Sequence, residues 1–226
     1  MKHLVLVRHG ESEWNAARRI QGQAGTGLSQ RGRRQAELTA AYLADAFPIA
    51  RLFTSDLQRC EETVAPIQQA TGIEAVREKG LRERDFGRWT GKLVTEAAVN
   101  DPGTWDRWRD GHDVVGELGG ESTEVFGLRV VETLEAILEV TEDGTTSVCV
   151  THGGPVWQGT RALLDLPERS IGGVANASVT EIICDDSAWG RRLLTWNQIA
   201  HLPTDLRSGV VTAQLEREPD APPPGA

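Results

Sequence analysis

Two histidines in this sequence follow the same kind of segment. Arg8 and His9 come directly after the aliphatic run LVLV, and His152 follows the run TSVCVT, with a glycine next in both cases. A guanidinium and imidazoles at the ends of buried strands are costly to desolvate unless they face a cleft and find partners there. The simplest interpretation of a single such histidine is a structural one, in which its ring forms a hydrogen bond with a backbone carbonyl. The repeated pattern instead favours one shared site, where glycine lets a ligand approach the backbone.

A third basic group is predicted near these histidines. Arg59 lies close to the start of a predicted helix that follows the strand-like run RLFTS. A helix N-terminus with an arginine beside it is a natural anion site, although a solvated surface arginine is an equally simple reading of Arg59 alone. Together with Arg8, His9 and His152, it would form a cluster suited to a dianionic phosphoryl group.

The fold must bring these side chains to one edge of a sheet. Apolar runs predict strands, and segments with helical spacing lie between them, which favours an α/β fold with a mainly parallel sheet. In such folds ligands bind beyond the carboxyl ends of the strands, where the four side chains fall. The predicted strands are His3–Arg8, Arg51–Thr54, Ile73–Val76 and Thr146–Thr151, with a late hairpin of Ser178–Cys184 and Arg192–Trp196.

Polar residues mark where the helices begin. Ser29 and Ser122 are predicted to cap two long helices, and Ser55 or Asp56 to cap the helix that carries the third basic group. The glycine-rich segment 79–120 predicts loops with one or two short helices over one end of the sheet.

Composition limits the classes of protein to consider. The chain has 226 residues, 39% hydrophobic and 25% charged, with a net charge of −9, which argues against a nucleic-acid binder or a polybasic membrane anchor. Its three cysteines include no Cys-x-x-Cys pair, and no apolar run approaches the ~20 residues of a membrane span, so we expect a cytoplasmic protein. We expect one domain over residues 1–215 and a disordered proline-rich tail over 216–226.

Motifs of other chemistries are missing from the sequence. It contains no Gly-x4-Gly-Lys-Ser/Thr loop, no Gly-x-Ser-x-Gly elbow and no His-Glu-x-x-His pair. Its spacings do not suggest a metal site either. We therefore expect phosphate chemistry, if present, to need no cofactor and no metal.

Four motifs together resemble a known family. The segments LVRHGESEWN, SDLQRC, LRERDFG and VTHGG, in this order, are similar to those of the histidine phosphatase superfamily. The likeness is to the branch that holds cofactor-dependent phosphoglycerate mutases and their phosphatase relatives, and it runs from about Val5 to His201. It implies a three-layer α/β/α sandwich with a mostly parallel central sheet and one antiparallel edge strand.

The resemblance also implies roles for particular residues. His9 would be the nucleophile that becomes phosphohistidine, and Glu83 the proton donor. Without the motif, Glu83 would be interpreted as a surface partner of a neighbouring arginine. The phosphate pocket would be completed by Arg8, Arg59 and His152, and the loop that contacts substrate would include Asn15, Gln21 and Gly22.

Departures from the mutase pattern favour a phosphatase. Val94 stands where mutases have a lysine, and between Glu96 and Gly120 the only arginines are Arg107 and Arg109, which are not adjacent. We therefore expect hydrolysis of a small phosphorylated metabolite, a sugar phosphate or a phosphoglycerate-like compound. A phosphoglycerate mutase and a catalytically silent phospho-ligand binder stay open as alternatives.

Substrate preference is predicted to depend on residues 88–120. Trp89, Trp105 and Trp108 suit a sugar, or the packing of a lid. The later segment GGVANASV resembles phosphatases of sugar-linked phosphoglycerate. Gly25 replaces an acidic residue common in relatives, which leaves that loop's conformation open. A homodimer is suggested by analogy alone.

Overall fold

Six strands form the central sheet. The computed structural model describes residues 1–167, 170–185 and 190–208. The strands are β1 Lys2–Arg8, β2 Ile49–Thr54, β3 Ala75–Arg77, β4 Thr146–Thr151, β5 Val179–Cys184 and β6 Arg191–Gln198. Their order across the sheet is β3-β2-β4-β1-β5-β6.

The pairing of the strands confirms the predicted fold class. β1 pairs in parallel with β4, and β2 pairs in parallel with both β4 and β3. β5 runs antiparallel to β1 and to β6, so the antiparallel strand lies one place in from the edge and forms the edge hairpin with β6. The carboxyl ends of β1, β2 and β4 therefore meet at one edge of the sheet.

Helices cover both faces of the sheet. Because side chains alternate along a strand, Leu4 and Leu6 of β1 face one layer while Val5 and Val7 face the other. The α-helices of the described residues are α1 Glu13–Ala16, α2 Gln30–Ala46, α3 Gln58–Thr71, α4 Val94–Asn100, α5 Pro102–Arg109, α6 Thr123–Val140 and α7 Gly153–Leu163. The two leucines pack with α6 and α7, and the two valines pack with α2 and α3.

Two of the predicted helix caps are confirmed. The Ser29 hydroxyl accepts a hydrogen bond from the Gly32 N–H at the start of α2. The Ser122 hydroxyl accepts one from the Val125 N–H at the start of α6. Each bond satisfies a backbone donor that the first turn of a helix leaves unpaired.

The predicted cap of α3 was wrong. Leu57 occupies the N-cap position and makes no side-chain cap. Ser55 instead bonds to His152 at 2.9 Å, and Asp56 accepts two hydrogen bonds of 2.6 Å from Arg82. Both polar side chains are thus used to connect loops at the carboxyl edge of the sheet.

The segment 79–120 folds into a small cap that contains α4 and α5, as predicted. Trp89, Trp105 and Trp108 pack against each other with ring centroids 5.0 to 5.6 Å apart. Trp89 is 1% exposed and Trp105 is 8% exposed. Of the two interpretations of these tryptophans, packing is therefore the one that the structure supports.

Two expectations concern the rest of the chain. The predicted tail, 216–226, lies outside the described residues. Within the described residues, none of the helices combines the length and apolar character needed to cross a bilayer.

Two leucines of α6 give a test of the packing between this helix and the sheet. Leu134 is 1% exposed and Leu128 is 59% exposed. We expect Leu134→Ala to lower the free energy of unfolding in urea by about 2–5 kcal/mol, because it leaves a cavity in the core. Leu128→Ala is the matched control and should change it by less than about 0.5 kcal/mol. Equal losses in the two variants would contradict this packing of α6.

Candidate active site

The parallel pairing of β1 with β4 brings the two histidines together. Arg8 lies opposite Thr151 in the register, so His9 and His152 follow at the same level of the sheet. The His9 N–H donates to the Thr151 carbonyl at 2.8 Å. The two imidazole rings lie edge to face, with centroids 5.1 Å apart, and both are buried.

Hydrogen bonding identifies the tautomer of His9. Its Nδ1 lies 2.6 Å from the carbonyl oxygen of Gly10. A carbonyl can only accept, so Nδ1 carries the proton and Nε2 carries the lone pair. The free nitrogen is therefore Nε2, which is the atom that a nucleophilic imidazole would use.

The tautomer of His152 follows from its neighbours. Nε of Arg59 donates to His152 Nδ1 at 3.1 Å, and a guanidinium cannot accept in return. The proton of the neutral ring is therefore on Nε2, which lies 2.9 Å from the Ser55 hydroxyl. Both nitrogens of this buried ring are thereby satisfied.

Burial and positive charge keep both imidazoles neutral. Desolvation by burial is the largest cause that lowers the pKa of His9 well below 6.5, followed by the charges of Arg59 and Arg8. Burial and the charge of Arg59 likewise lower the pKa of His152 well below 6.5. A neutral imidazole at position 9 is the nucleophilic form.

Arg59 is almost completely buried, at 2% exposed, and holds the loop after α1. It donates to the carbonyl of Gly22 at 2.7 Å and to that of Ala24 at 2.8 Å. Gly25 has φ +118°, a region that favours glycine, and a Cβ there would lie 3.3 Å from the Arg59 guanidinium. The missing acidic residue at this position is thus explained by the path of the loop around Arg59.

Arg8 is held by the loop before β5. Its guanidinium donates to the carbonyl oxygen of Val174. Its buried Nε finds no acceptor among the residues that the structure describes. Burial lowers the pKa of Arg8 from its ordinary value to about 10, and the neighbouring Glu83 carboxyl group partly offsets this effect. Arg8 is therefore a cation with a free donor at the site.

The Glu83 side chain reaches the start of α7. Its carboxylate accepts a hydrogen bond from the Gly154 N–H at 3.2 Å and one from the Arg84 N–H at 2.9 Å. A Cβ at position 154 would lie 2.1 Å from Glu83 Oε1, so only glycine allows this approach. The carboxyl group is therefore anchored on the turn that directly follows His152.

The remaining predicted residues line the loop between β1 and α2. Asn15 Oδ1 accepts from the Ser12 N–H at 3.2 Å, and Gln21 Oε1 accepts from the Ser12 hydroxyl at 2.8 Å. The Asn176 amide donates both to Asn15 Oδ1 and to the His9 carbonyl, each at 3.2 Å. The structure thus brings together every residue that the sequence analysis named for this site.

Three functional residues escaped the sequence analysis. Ser55 was interpreted as a helix cap, Asn176 was noted only as part of a similar segment, and the need for glycine at position 154 was not tied to Glu83. The runs SDLQRC, NASVTEI and THGG contain these residues. The motifs therefore indicated that these positions matter, but they did not predict which group each residue contacts.

The arrangement can bind an anion and transfer a group to nitrogen. It offers two guanidinium groups, a neutral imidazole with a free lone pair, a second imidazole and a carboxyl group. Within residues 1–167, 170–185 and 190–208, no cluster of histidine, cysteine and acidic side chains could hold a metal ion. The geometry is that of a phosphoryl-transfer site built from side chains.

Comparison with known proteins identifies the family. The family described as histidine phosphatase superfamily (branch 1) matches residues 4–199. The chain belongs to this superfamily. Among curated relatives, glucosyl-3-phosphoglycerate phosphatase of Mycolicibacterium vanbaalenii is 31% identical, covering 91% of this histidine phosphatase and 99% of the relative. A probable phosphoglycerate mutase of Serratia proteamaculans is 34% identical, with coverage of 90% and 96%.

Solved structures of the superfamily share this fold. A mycobacterial glucosyl-3-phosphoglycerate phosphatase in complex with VO3 superposes with a TM-score of 0.78 at 30% identity, covering 87% of this chain and 99% of the other. YhfR of Bacillus stearothermophilus gives a TM-score of 0.80 at 28% identity, with coverage of 89% and 99%. The three-layer architecture of this histidine phosphatase is therefore the one found in its relatives.

The buried neutral histidines predict a loss of stability in acid. In the unfolded chain His152 titrates near 6.5, whereas the folded ring stays neutral well below that value. As pH falls below 6.5, the unfolded state binds a proton that the folded state does not, so stability is lost. From about pH 7.5 to about pH 5.5, this residue should contribute a loss of about 1.4 kcal/mol in the free energy of unfolding.

Urea denaturation at several pH values measures this contribution. His152→Gln removes the titrating group while keeping one acceptor and one donor. The variant should therefore lose about 1.4 kcal/mol less than the wild type over the same pH range. Parallel pH profiles for the two proteins would show that His152 is not held neutral.

Proposed function

We propose that this histidine phosphatase hydrolyses a phosphomonoester through a phosphohistidine intermediate. The observation that supports the proposal is the cluster formed by His9, with its free Nε2, and by Arg8, Arg59 and His152. The Glu83 carboxyl group is anchored on the turn that directly follows His152. Phosphoryl transfer asks a protein chiefly for positioning and for charge stabilisation, and this cluster supplies both.

In the first half-reaction, Nε2 of His9 attacks phosphorus and the bond to the leaving oxygen breaks. Arg8 and Arg59 neutralise the equatorial oxygens, where preorganised donors are commonly worth about 3–4 kcal/mol each. The Glu83 carboxyl gives its proton to the leaving alkoxide, which departs as an alcohol. The product is His9 carrying the phosphoryl group on Nε2 and a carboxylate at Glu83.

In the second half-reaction, water attacks the phosphorus atom and the phosphorus–nitrogen bond breaks. The Glu83 carboxylate takes a proton from the attacking water, which restores the carboxyl group. Inorganic phosphate leaves, and His9 returns to its neutral form with the proton on Nδ1. The cycle uses only side chains of the site and one water molecule.

A cysteine nucleophile does not fit this site. Cys60 is fully buried beside His152, with Sγ 3.4 Å from Nε2. Burial raises the pKa of the Cys60 thiol to about 12, so it remains a neutral thiol. Because the thiolate is the nucleophilic form, His9 is the better candidate for the attacking group.

The cap favours hydrolysis over the mutase alternative. A mutase must retain a phosphoglycerate by a second anionic group, which requires further unpaired cations. Arg107 forms two hydrogen bonds with Glu117, at 2.7 and 3.0 Å, and Arg109 lies 3.6 Å from Asp106. Both arginines of α5 are thus engaged with carboxylates in the cap.

The proposed substrate class is a phosphorylated glycerate or a sugar derivative of one. Support comes from the relative named glucosyl-3-phosphoglycerate phosphatase, which aligns with nearly the whole of both chains. We expect phosphate release from glucosyl-3-phosphoglycerate to exceed that from simple sugar phosphates by about 10-fold or more in kcat/KM.

A substrate panel tests this proposal, with phosphate release as the measurement. Formation of 2-phosphoglycerate from 3-phosphoglycerate, stimulated by 2,3-bisphosphoglycerate, would establish the mutase instead. Binding of phosphorylated compounds without any turnover across the panel would support the silent binder.

The role of His9 predicts the outcome of its removal. His9→Ala should lower the rate of phosphate release by at least about 1,000-fold, because no other group can accept the phosphoryl group. The exposed His112 of the cap gives a matched control, and His112→Ala should retain activity.

The stereochemistry at phosphorus tests the same step in the wild-type protein. Two successive in-line displacements retain the configuration of a chiral, isotope-labelled phosphate ester. Inversion would indicate direct attack by water and would contradict the phosphohistidine.

A further inference from the structure

An arginine of α6 reaches the segment that carries Glu83. Arg129 donates to the carbonyl oxygens of Gly80 at 2.8 Å, Arg82 at 3.0 Å and Glu83 at 3.3 Å. These carbonyls belong to an irregular segment, where backbone acceptors need partners other than a helix or a sheet. One guanidinium therefore binds the backbone up to and including Glu83.

The other edge of the same guanidinium binds Glu121. Nε and Nη2 of Arg129 donate to the two carboxylate oxygens of Glu121, at 2.8 and 2.7 Å. Glu121 also accepts a hydrogen bond from the Asp85 N–H at 2.9 Å. The pair thus holds the backbone on both sides of Glu83.

The charges in this pair are mutually satisfied. Burial alone would raise the pKa of Glu121, but hydrogen bonds from Arg129 and from the Asp85 N–H outweigh it and lower the pKa below 4.5. Glu121 is therefore an anion that keeps Arg129 in a single orientation.

The Glu83 carboxylate is held by backbone donors. Its hydrogen bonds in the described structure come from two N–H groups, those of Arg84 and Gly154. The Arg84 donor and the Glu83 backbone both lie in the segment 80–85, so the position of the carboxyl group depends on where that segment is held relative to α7.

Stabilisation of the fold alone does not account well for the ion pair between Arg129 and Glu121. Arg129 and Glu121 are both partly buried, with side chains 22% and 17% exposed. The desolvation cost of such an ion pair offsets much of its attraction, so its net contribution to stability is small. Its hydrogen bonds instead go to the backbone that carries the acid.

We propose that Arg129 and Glu121 are positioning residues that set the location of the Glu83 carboxyl group for proton transfer to the leaving oxygen. This inference rests on the proposed function, in which Glu83 is the proton donor. A general acid must lie within hydrogen-bond reach of the leaving oxygen, and a misplacement of about 1 Å can cost about 100-fold in rate. Good leaving groups depart without a proton and escape this cost.

The test compares two leaving groups in Arg129→Met. The measured quantity is kcat/KM, which reports only the steps up to departure of the leaving group and not the later attack of water. With the best alkyl phosphate from the substrate panel, kcat/KM should fall by about 30-fold or more. With p-nitrophenyl phosphate, it should fall by less than about 3-fold, because nitrophenolate needs no proton. Vanadate affinity should change by less than about 2-fold, since the phosphate-binding side chains are untouched.

A second ion pair that involves α6 provides a matched control. Arg191 of β6 forms a similar two-bond pair with Glu135 of α6, with both distances 2.6 Å. Arg191→Met removes a comparable ion pair away from Glu83 and should leave the ratio of the two rates unchanged. If Arg129→Met fails to fold, Arg129→Lys keeps the charge but cannot make all these hydrogen bonds, and the same change in the ratio is expected.

Glu83→Gln separates failure of this inference from failure of the proposed function. If Glu83→Gln slows the alkyl phosphate selectively but the Arg129 variant slows both substrates equally, the positioning role is overturned and the acid role stands. If Glu83→Gln lowers kcat/KM equally for both substrates, Glu83 is not the acid and both proposals about it fall. A wild type that hydrolyses neither substrate overturns the proposed function and this inference together.

Discussion

The parallel pairing of β1 with β4 is the constraint on which the site depends. A histidine directly follows each strand, and the register places Arg8 opposite Thr151, so both imidazoles lie at the same level. A slip of one residue would turn every side chain of a strand to the other face of the sheet. The alternating layers of Leu4, Leu6, Val5 and Val7 prevent that slip, since each pair fits a different core. Core packing thus sets the distance between the two imidazole rings.

Desolvation gives the cluster its chemical character. Burying arginine beside neutral histidine is unfavourable unless backbone acceptors compensate, and here the carbonyls of Gly22, Ala24 and Val174 do so. The same burial holds His9 in the form that can attack phosphorus. The path of these irregular loops is therefore set by the charges that they surround. Arg59 organises the loop that carries Gly22 and Ala24 as well as contributing a positive charge to the cluster.

Much of the fold and the site was predictable from the sequence, and the remainder depended on contacts between distant loops. Buried strands, the caps at Ser29 and Ser122, and the convergence of the two histidines follow from local patterns and one topological rule. Ser55 could not be assigned, because its choice between a helix N–H and His152 is settled by a residue 97 positions away. The local sequence around the tryptophans of the cap does not show whether they contact a sugar or each other. Only the three-dimensional structure, in which Trp89 and Trp105 are buried, distinguishes the two cases.

The cap has an apolar core of its own, in which Trp89 and Trp105 pack with Val114 and Leu118 apart from the two cores beside the sheet. Mutations that reshape this small unit need not disturb the register of the strands beneath it. Sequence changes in this small unit can therefore accumulate without moving the strand ends that position His9 and His152.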